Sequence, residues 1–465
     1  MRMPETKPIP LARELAAFAA SLRVDDVPAA AYERAKLHVL DALGTALAAA
    51  DTDFADAAAS ALVAMSDGGS NAVIGRHERL GLRDAMLMNG VLVHGLDFDD
   101  THGASVVHVS ASAVPLMLGL GTRCKASGRA ALMAYLLALE IDARLGAVAR
   151  GTLQKRGWHP TGVIGAFGCA AAAGRLLGAD ADGIAHGLGI TLSMASGNLE
   201  FLDDGAWTKR LHPGWAAVAG YTAASFGQAG YVGPSRPFEG RFGLYRMLLD
   251  TDAVDLAPVT AGLGQQWAVD DNGFKPYPAC HFLHAFIDCA LELRAQPGFD
   301  PAAIASIEAL IHPDEVAIVC EPTAIKRAPR NAYDAQFSLP YTVATALCRG
   351  QFGLDELDAA ALTAPEAIAL AAKVRHAPDP ESRYPTSYSG ALEVALHDGR
   401  RFSARQPVNR GAASNPLGAA DVREKFLRNA VRRVAPAQAE AIAEAVMTLD
   451  TAADLSALHA ALALP

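Results

Sequence analysis

A run of small residues, Gly165 to Gly174, most restricts how this chain can fold. Its sequence, GAFGCAAAAG, contains a single large side chain. The run lies within a helical pattern that continues almost without interruption from Ile9 to about Gly230, in which Leu40, Leu43 and Leu47 recur at helical spacing. A helix built of Gly and Ala lets neighbouring backbones approach closely. We therefore predict that this helix lies at the centre of a helical bundle.

The pattern changes near Gln265, where strand-like segments begin. Ser306 to His312 alternates between apolar and polar residues, and the segment from Leu392 to Leu396 alternates in the same way. Asp398-Gly399 then offers a hairpin turn, so a further strand is expected to return after it. Between these strands, Asp334 to Leu347 has the periodicity of a helix.

Helical periodicity returns near the C-terminus. Residues 409–418 form a connector rich in Gly, Ser, Asn and Pro, and residues 421–449 contain two helical segments. Such a tail most simply rejoins the first helices, which makes the strand-containing part an insertion. We predict a mainly α protein in which residues 1–269 and 408–465 form a large all-helical domain and residues 270–407 form a smaller α+β domain.

Composition and charge exclude several classes of partner. The formal charge is −10 and there is no run of Lys or Arg, so neither nucleic acid nor an anionic membrane is an expected partner. The first ten residues lack the apolar core of a signal peptide, and no run reaches the roughly eighteen apolar residues that a membrane span requires. The six cysteines form no CxxC pair. These features predict a soluble cytoplasmic protein with reduced cysteines.

Polar and ionisable residues interrupt the apolar sequence at a few places. The first is Asp97-Phe98-Asp99-Asp100-Thr101-His102, between two apolar segments. Carboxylates this close oppose one another's ionisation, which makes them costly to bury together. A polar turn between two helices would explain this stretch alone, but four further polar islands accompany it. They contain His108, the sequence Trp158-His159-Pro160-Thr161, residues 203–214 with Lys209 and His212, and residues 275–284 with Lys275 and His281.

The residue types in these islands suit proton transfer on a small carboxylic acid. Lysine is a compact cation that pairs with a carboxylate. Histidine titrates near neutrality and passes protons. An aspartate such as Asp97, held near histidines, orients one of them or donates a proton if its pKa is raised.

The same residues give less support to other chemistries. The sequence has no GxGxxG after a strand and no GxxxxGK[ST], so nothing favours nucleotide binding, and it has no GxSxG. A metal site is the main competitor, although no helical ligand pairing fixes its geometry. The residues that offer ligand atoms for it are His94, Asp97, Asp99, Asp100, His102 and His108. A scaffold without catalytic activity is a further alternative, but there is no heptad seam or repeat to favour it.

Taken in order, the islands resemble the MmgE/PrpD superfamily, which contains 2-methylcitrate dehydratase, cis-aconitate decarboxylase and iminodisuccinate epimerase. The segments that carry the resemblance are residues 89–101, the segment around His108, residues 157–161, 205–214, 275–278 and 334–341, and Lys425-Phe426. Together they extend over most of the chain. Where family members often have His-Pro-Ser, this chain has His108-Val109-Ser110.

The resemblance implies a large helical domain with an inserted α+β lid, a homodimer, and an enzyme with no metal or organic cofactor. It also implies a site between the two domains. The matching catalytic positions are Asp97, His108, His159, Lys209 and Lys275, and the matching substrate-binding positions are Thr101, Lys209, Lys275 and His281.

The predicted reaction is carbon-acid chemistry on a small di- or tricarboxylate. Lys209 and Lys275 would hold carboxylates and stabilise the charge that builds up when a neighbouring C–H bond loses its proton. His159 or His108 would be the base, and Asp97 with Thr101 would orient it or supply the acid. A dehydratase of the 2-methylcitrate type is the first expectation. Decarboxylation or epimerisation in the same pocket, and a metal-dependent hydrolase, are the alternatives.

Overall fold

The computed structural model describes residues 9–251, 253–384 and 386–464. Its first part is helical, as predicted. The helices are α1 (Leu11–Ser21), α2 (Ala29–Ala49), α3 (Asp53–Met65), α4 (Leu82–His94), α5 (Ser110–Arg123), α6 (Gly128–Ala147), α7 (Thr152–Lys155), α8 (Pro160–Leu177), α9 (Ala181–Thr191), α10 (Phe201–Asp204), α11 (Thr208–Gln228), α12 (Leu244–Leu249) and α13 (Ala257–Thr260).

The small-residue helix α8 lies at the centre of this part. It begins with Pro160 and ends before Gly178, whose left-handed conformation (φ 74°) closes the helix. It packs against α5, α6, α9 and α11. A Cβ atom on Gly168 would lie 2.4 Å from the carbonyl oxygen of Ala138 on α6, and one on Gly220 of α11 would lie 2.6 Å from the Cβ of Cys169. Glycine is therefore required where these backbones meet, which confirms the predicted central position.

By length and hydropathy, α8 qualifies as a membrane span. It has 18 residues with a mean hydropathy of 1.2, although Thr161 and Arg175 leave it short of eighteen consecutive apolar residues. The alanine, valine, isoleucine and leucine residues of the helix raise its mean hydropathy, whereas Thr161 and Arg175 interrupt the apolar run. However, 83% of the helix is buried inside the protein, as the core helix of a soluble protein is.

Two pairs of very short strands accompany the helices. They are β1 (Asn71–Ala72) with β2 (Arg79–Leu80), and β3 (Thr101–His102) with β4 (Asn272–Gly273). In the second pair the strands are antiparallel, with Thr101 opposite Gly273 and His102 opposite Asn272. This pairing places the polar segment that follows α4 directly beside the segment that contains Lys275.

The second part of the chain combines a sheet with helices. The helices are α14 (His284–Ala295), α15 (Pro313–Val319), α16 (Thr323–Arg327), α17 (Ala332–Gln336), α18 (Leu339–Arg349), α19 (Ala359–Leu362) and α20 (Pro365–Ala371). The strands are β5 (Ile304–Ile311), β6 (Val374–Pro378), β7 (Gly390–Leu396) and β8 (Arg401–Gln406). They form a sheet in the order β6-β5-β7-β8, in which only the β5–β6 pair is parallel.

The predicted strands and hairpin are confirmed, but the predicted helix from Asp334 to Leu347 is in fact two helices. Phe337 and Ser338 separate α17 from α18, and the Ser338 hydroxyl caps α18 by accepting a hydrogen bond from the Tyr341 amide at 3.0 Å. Pro340 in the first turn favours this new start.

The C-terminal helices α21 (Ala419–Ala430), α22 (Pro436–Met447) and α23 (Ser456–Leu462) pack on the first part, with α21 and α22 against α2. One hydrophobic core combines side chains from Leu11 to Val269 with others from Phe426 to Leu462. A second core is formed mainly by side chains from Tyr277 to Ala404. The protein is thus mainly α, whereas the domain boundaries at residues 269/270 and 407/408 stay a prediction.

Candidate active site

The polar islands meet because each lies at or beside the end of a helix or a short strand. Asp97 follows α4, and Thr101 lies in β3, which β4 ties to the segment with Lys275. The other predicted residues lie at helix starts: His108 shortly before α5, His159 immediately before α8, Lys209 in the first turn of α11, and His281 in a short 3-10 helix before α14.

Asp97 lies between the two predicted lysines. The ammonium groups of Lys209 and Lys275 each donate a hydrogen bond of 2.8 Å to the same carboxylate oxygen, Oδ1 of Asp97. Lys275 also donates to the Asp97 carbonyl oxygen at 2.9 Å. All three residues are buried, with exposed fractions of 2% for Asp97, 6% for Lys209 and 1% for Lys275. Two cations therefore converge on one point inside the protein.

The charge state of Asp97 follows from these contacts. Burial alone would raise its pKa, but the ammonium groups of Lys209 and Lys275 hold the pKa well below its usual range. The residue adopts a left-handed backbone conformation (φ 50°), which is uncommon for a residue other than glycine. Its other carboxylate oxygen, Oδ2, is buried and has no hydrogen-bond donor among the described residues. The ionised state favours an orienting role for Asp97 over an acid role.

The environment of His108 fixes which ring nitrogen carries the proton. Its Nδ1 lies 2.8 Å from the Asp100 carbonyl oxygen and 3.1 Å from the Thr101 hydroxyl. A carbonyl oxygen only accepts, so Nδ1 carries the hydrogen and Nε2 of the neutral ring has the free lone pair. Burial lowers the pKa of His108 to about 3. Near neutral pH the ring is therefore uncharged and can accept a proton at Nε2.

His159 has a second histidine as its partner. Its Nδ1 lies 2.9 Å from Nδ1 of His212, and the two ring centroids are 5.1 Å apart. Burial, with the His212 and His94 rings nearby, lowers the pKa of His159 well below its ordinary value. Burial and the nearby Lys209 lower the pKa of His212 to about 4. This pair is also uncharged near neutral pH.

His281 reaches the same cluster from the second part of the chain. Asn409 Nδ2 donates a hydrogen bond of 2.7 Å to His281 Nε2. The His281 ring lies 5.2 Å from that of Tyr388, whose hydroxyl contacts the Gly103 carbonyl at 3.4 Å. Burial, with His284 and Lys275 nearby, lowers the pKa of His281 well below its usual value.

Two further buried groups hold the loop that carries Asp97. The Asp100 carboxylate accepts hydrogen bonds from Ser110 at 2.5 Å and Asn272 at 2.6 Å, and lies 3.0 Å from Nδ1 of His38. Lys425 on α21 donates to the Phe98 carbonyl oxygen at 2.7 Å and pairs with Asp41 of α2 at 2.7 Å. Both chain ends therefore contribute to the shape of this loop.

All seven predicted site residues line one small cavity of about 60 Å³. They are Asp97, Thr101, His108, His159, Lys209, Lys275 and His281. Apolar side chains, among them Phe201, Phe282 and Phe337, complete the wall. Such a volume holds roughly four water molecules. A larger cavity of about 1000 Å³ adjoins it and shares Thr101, His281 and Tyr388.

Part of the rival metal-ligand set also comes together here. His94, His108 and His159 have ring nitrogens within 4.8 Å of one another, and so do ligand atoms of His94, Asp97, Asp99 and His108. Asp100 and His102 are instead engaged with other partners. The two ammonium groups on Asp97 oppose a further cation at that carboxylate, so the residues fit an anion better than a metal ion.

Several residues of this cluster were not predicted to take part in proton transfer, although His94 and Asp99 were named as possible metal ligands. Asp99 and His94 form a buried pair with 2.8 Å between Oδ2 and Nδ1, and their spacing of five residues was the available signal. His212 lay within a polar island that had been recognised. Asn409 lies in the connector and Tyr388 follows a polar segment, so neither stands out as a polar residue in apolar surroundings.

Comparison with known sequences identifies the family. The sequence model of the MmgE/PrpD N-terminal domain matches residues 13–257, and that of the MmgE/PrpD C-terminal domain matches residues 277–451. The chain belongs to the MmgE/PrpD family. Among MmgE/PrpD relatives, a protein of Aspergillus oryzae named cis-aconitate decarboxylase-like protein oryM is 26% identical, with 96% of each chain covered.

Two mammalian proteins are similar over nearly the same length. Proteins named cis-aconitate decarboxylase from Mus musculus and Homo sapiens are each 27% identical to this MmgE/PrpD chain. The matches cover 94% of this chain in both cases, and 90% and 91% of the mouse and human proteins, respectively. The resemblance inferred from the polar islands is thereby confirmed at the level of the family.

Proposed function

We propose that this protein is a lyase that removes CO₂ from a small unsaturated di- or tricarboxylate of the cis-aconitate type, without an organic or metal cofactor. The observation that carries the proposal is the convergence of Lys209 and Lys275 on one buried point beside uncharged imidazoles. Fixed cations stabilise the charge that develops in such a reaction more strongly in a buried site than in water.

The lysines provide binding and charge stabilisation. A substrate carboxylate that enters the cavity can share the ammonium hydrogens that Asp97 now receives, because each ammonium group has three donors. When the C–C bond to the departing CO₂ breaks, its electron pair remains on the substrate and delocalises into a neighbouring carboxylate. Lys209 and Lys275 lie where that extra negative charge can be neutralised.

The histidines provide the proton that completes the reaction. The electron pair left by CO₂ takes one proton at carbon, so an imidazolium must supply it. His108 is uncharged in the empty cavity, but the negative charges of a bound substrate favour its protonated form. Substrate binding therefore charges the acid that the chemistry needs, with Thr101 and the Asp100 carbonyl holding the ring in place.

The relatives favour decarboxylation among the reactions considered. The same anionic intermediate can expel hydroxide or take a proton on its other face, which would give dehydration or epimerisation. The relatives described above are named as decarboxylases. Dehydration, the first expectation from sequence, becomes the second candidate reaction of this pocket.

We propose that the part of the chain with the second core acts as a lid over the cavity. Residues on both sides line the cavity: Asp97, His108 and Lys209 from the helical part, and His281 and Phe337 from the part that contains the sheet. Separation of these walls would admit a substrate larger than the present volume allows. A homodimer in the cytoplasm, expected from the resemblance and the composition, completes the proposal.

The experiment is an NMR assay in D₂O with a panel of citrate, methylcitrate, aconitate and aminodicarboxylate substrates. Loss of CO₂ from cis-aconitate, with one deuterium in the product, is the expected result. Lys209→Met and Lys275→Met should lower turnover by about a hundredfold or more, given the contribution of one fixed charge to a transition state. Neither turnover nor deuterium incorporation with any substrate would refute the proposal.

A metal-dependent hydrolase is the candidate of another class, favoured only by the proximity of His94, His108 and His159. Elemental analysis and chelator treatment of the active protein separate the two. Activity that disappears with EDTA and returns with a divalent ion would favour the metal.

A further inference from the structure

His94 lies behind the cavity wall, between the two candidate proton-transfer histidines. Its ring centroid is 4.8 Å from that of His108 and 5.6 Å from that of His159, whereas the latter two are 6.3 Å apart. His94 is 1% exposed and is not among the residues that line the cavity. It therefore contacts the candidate proton-transfer histidines without facing the cavity.

Of the two ring nitrogens of His94, Nδ1 has a hydrogen-bond partner and Nε2 has none among the described residues. Nδ1 lies 2.8 Å from Oδ2 of Asp99, and both side chains are fully enclosed. Nε2 is buried and has no hydrogen-bond partner among the described residues, and the same is true of Oδ1 of Asp99. Buried polar atoms without partners are rare in folded proteins and call for an explanation.

We infer that Asp99 and His94 form a proton relay to Nε2 of His108, in which His94 is a positioning residue. The inference rests on the proposed function, because decarboxylation consumes one proton per turnover inside a buried cavity. Each ring of the three offers a nitrogen within 4.8 Å of the others. One water molecule with two hydrogen bonds of about 2.8 Å spans such a separation.

The transfer balances as a tautomer exchange. The protonated Asp99 carboxyl donates its proton to Nδ1 of His94 while Nε2–H of His94 passes its own proton to Nε2 of His108. Asp99 is left as the carboxylate, His94 stays neutral with the hydrogen on Nδ1, and His108 becomes the imidazolium. His108 then protonates the substrate carbon. Nε2 of His94 takes up one proton from solvent while its Nδ1 proton returns to Asp99, which restores the starting state.

The charges around the pair suit this role. Burial raises the pKa of Asp99 to about 6, against the lowering effect of His108 and Lys275. Burial and the cation of Lys209 keep the pKa of His94 well below its usual value, so the imidazole passes a proton without storing it. The charged or titratable groups that face the pair are Asp97, Asp100, His108, His159, Lys209, His212, Lys275 and Lys425.

The relay is tested with His94→Asn and Asp99→Asn on the full chain. In His94→Asn, the amide that replaces the imidazole can still donate to Asp99 but cannot relay a proton. We expect kcat to fall by about a hundredfold or more, as general acid–base contributions do, with KM changed by less than about threefold. The fall in kcat as the pH rises through about 6 should disappear in Asp99→Asn. His186→Asn and Asp142→Asn, away from the cavity, serve as matched controls with normal kcat.

A purely structural role would raise KM and lower thermal stability together, and a kcat within about threefold of wild type in both variants would overturn the relay. If the variants do not fold, the wild-type protein decides: its kcat in mixtures of H₂O and D₂O should follow a curve that bends below a straight line, since more than one proton moves. A straight line overturns the relay while leaving the proposed function intact. A wild-type protein without turnover overturns the proposed function and the relay with it.

Discussion

Replacing Asp97 by Asn tests the electrostatics of the site without disturbing its backbone. Asparagine tolerates the left-handed conformation that Asp97 adopts, so the main change is the loss of one negative charge. Both ammonium nitrogens lie 2.8 Å from Oδ1 and are therefore at most about 5.6 Å apart. The substitution leaves two buried cations facing each other without their counter-charge.

The magnitude follows from Coulomb's law. Two unit charges about 5.6 Å apart repel by about 3 kcal/mol at an effective dielectric constant near 20. In the wild type the attraction of Asp97 for both ammonium groups offsets this repulsion, and its loss should lower the free energy of unfolding at neutral pH by about 3–5 kcal/mol, the range for breaking a buried ion pair. Because the folded-state pKa of Asp97 is lowered, its contribution is present above the unfolded pKa and is lost as the pH falls. The difference between the proteins should therefore shrink at acidic pH.

The assay is urea unfolding followed by circular dichroism, with and without the unreactive propane-1,2,3-tricarboxylate. The added carboxylates should restore stability more in Asp97→Asn than in wild type, because the ligand replaces the missing charge. Asp203→Asn, an exposed control on α10, should stay within about 0.5 kcal/mol of wild type. An Asp97→Asn protein as stable as wild type, and indifferent to the tricarboxylate, would refute this account of the site.

Three other outcomes are expected from the same structure. Lys425→Met leaves Asp41 buried without its partner and should lower the free energy of chemical unfolding by about 3–5 kcal/mol. The double variant that also carries Asp41→Asn should recover most of this loss. A double variant without recovery would contradict the pairing. Burial raises the pKa of Asp142 well above its usual value, so folding opposes its ionisation and stability is lost as the pH rises above the unfolded-state pKa. Between the unfolded-state and folded-state pKa values, Asp142→Asn should gain about 1.4 kcal/mol relative to wild type per pH unit, and a difference independent of pH would be contrary evidence. Binding of propane-1,2,3-tricarboxylate at neutral pH should be accompanied by the uptake of about one proton, which calorimetry in buffers of different ionisation enthalpy measures. His108→Asn should abolish this proton uptake. Unchanged uptake in the variant would assign the proton to another group.

Much of the site could be predicted because its functional side chains lie in short polar segments that are recognisable in the sequence. Lys209, Lys275 and the histidines at positions 108, 159 and 281 stand out as polar residues in apolar surroundings, and the chain brings them to one cavity. The helical and strand periodicities likewise predicted the central helix α8 and the β7–β8 hairpin. Ser338 and Pro340 together indicate the start of a new helix and so divide α17 from α18, although the helical periodicity is continuous across this boundary.

The partners of these residues could not be predicted, because they depend on which distant segments meet. Lys425 reaches the loop at Phe98 across 327 positions, and Asn409 reaches His281 across 128. Protonation states depend on the same contacts. The two lysines lower the pKa of Asp97, whereas burial raises the pKa of Asp99 two positions away. Both residues are aspartates in one short segment, so the sequence alone does not distinguish their protonation states.

The dissociation constant of propane-1,2,3-tricarboxylate, measured by calorimetry, tests most directly whether Lys209 and Lys275 bind substrate carboxylates. Lys209→Met and Lys275→Met should each weaken binding by about thirtyfold, as expected for the loss of one charged hydrogen bond of about 2 kcal/mol. Lys155→Met, an exposed control, should bind like the wild type. Equal affinity in the wild type and both cavity variants would place the ligand elsewhere and contradict the account.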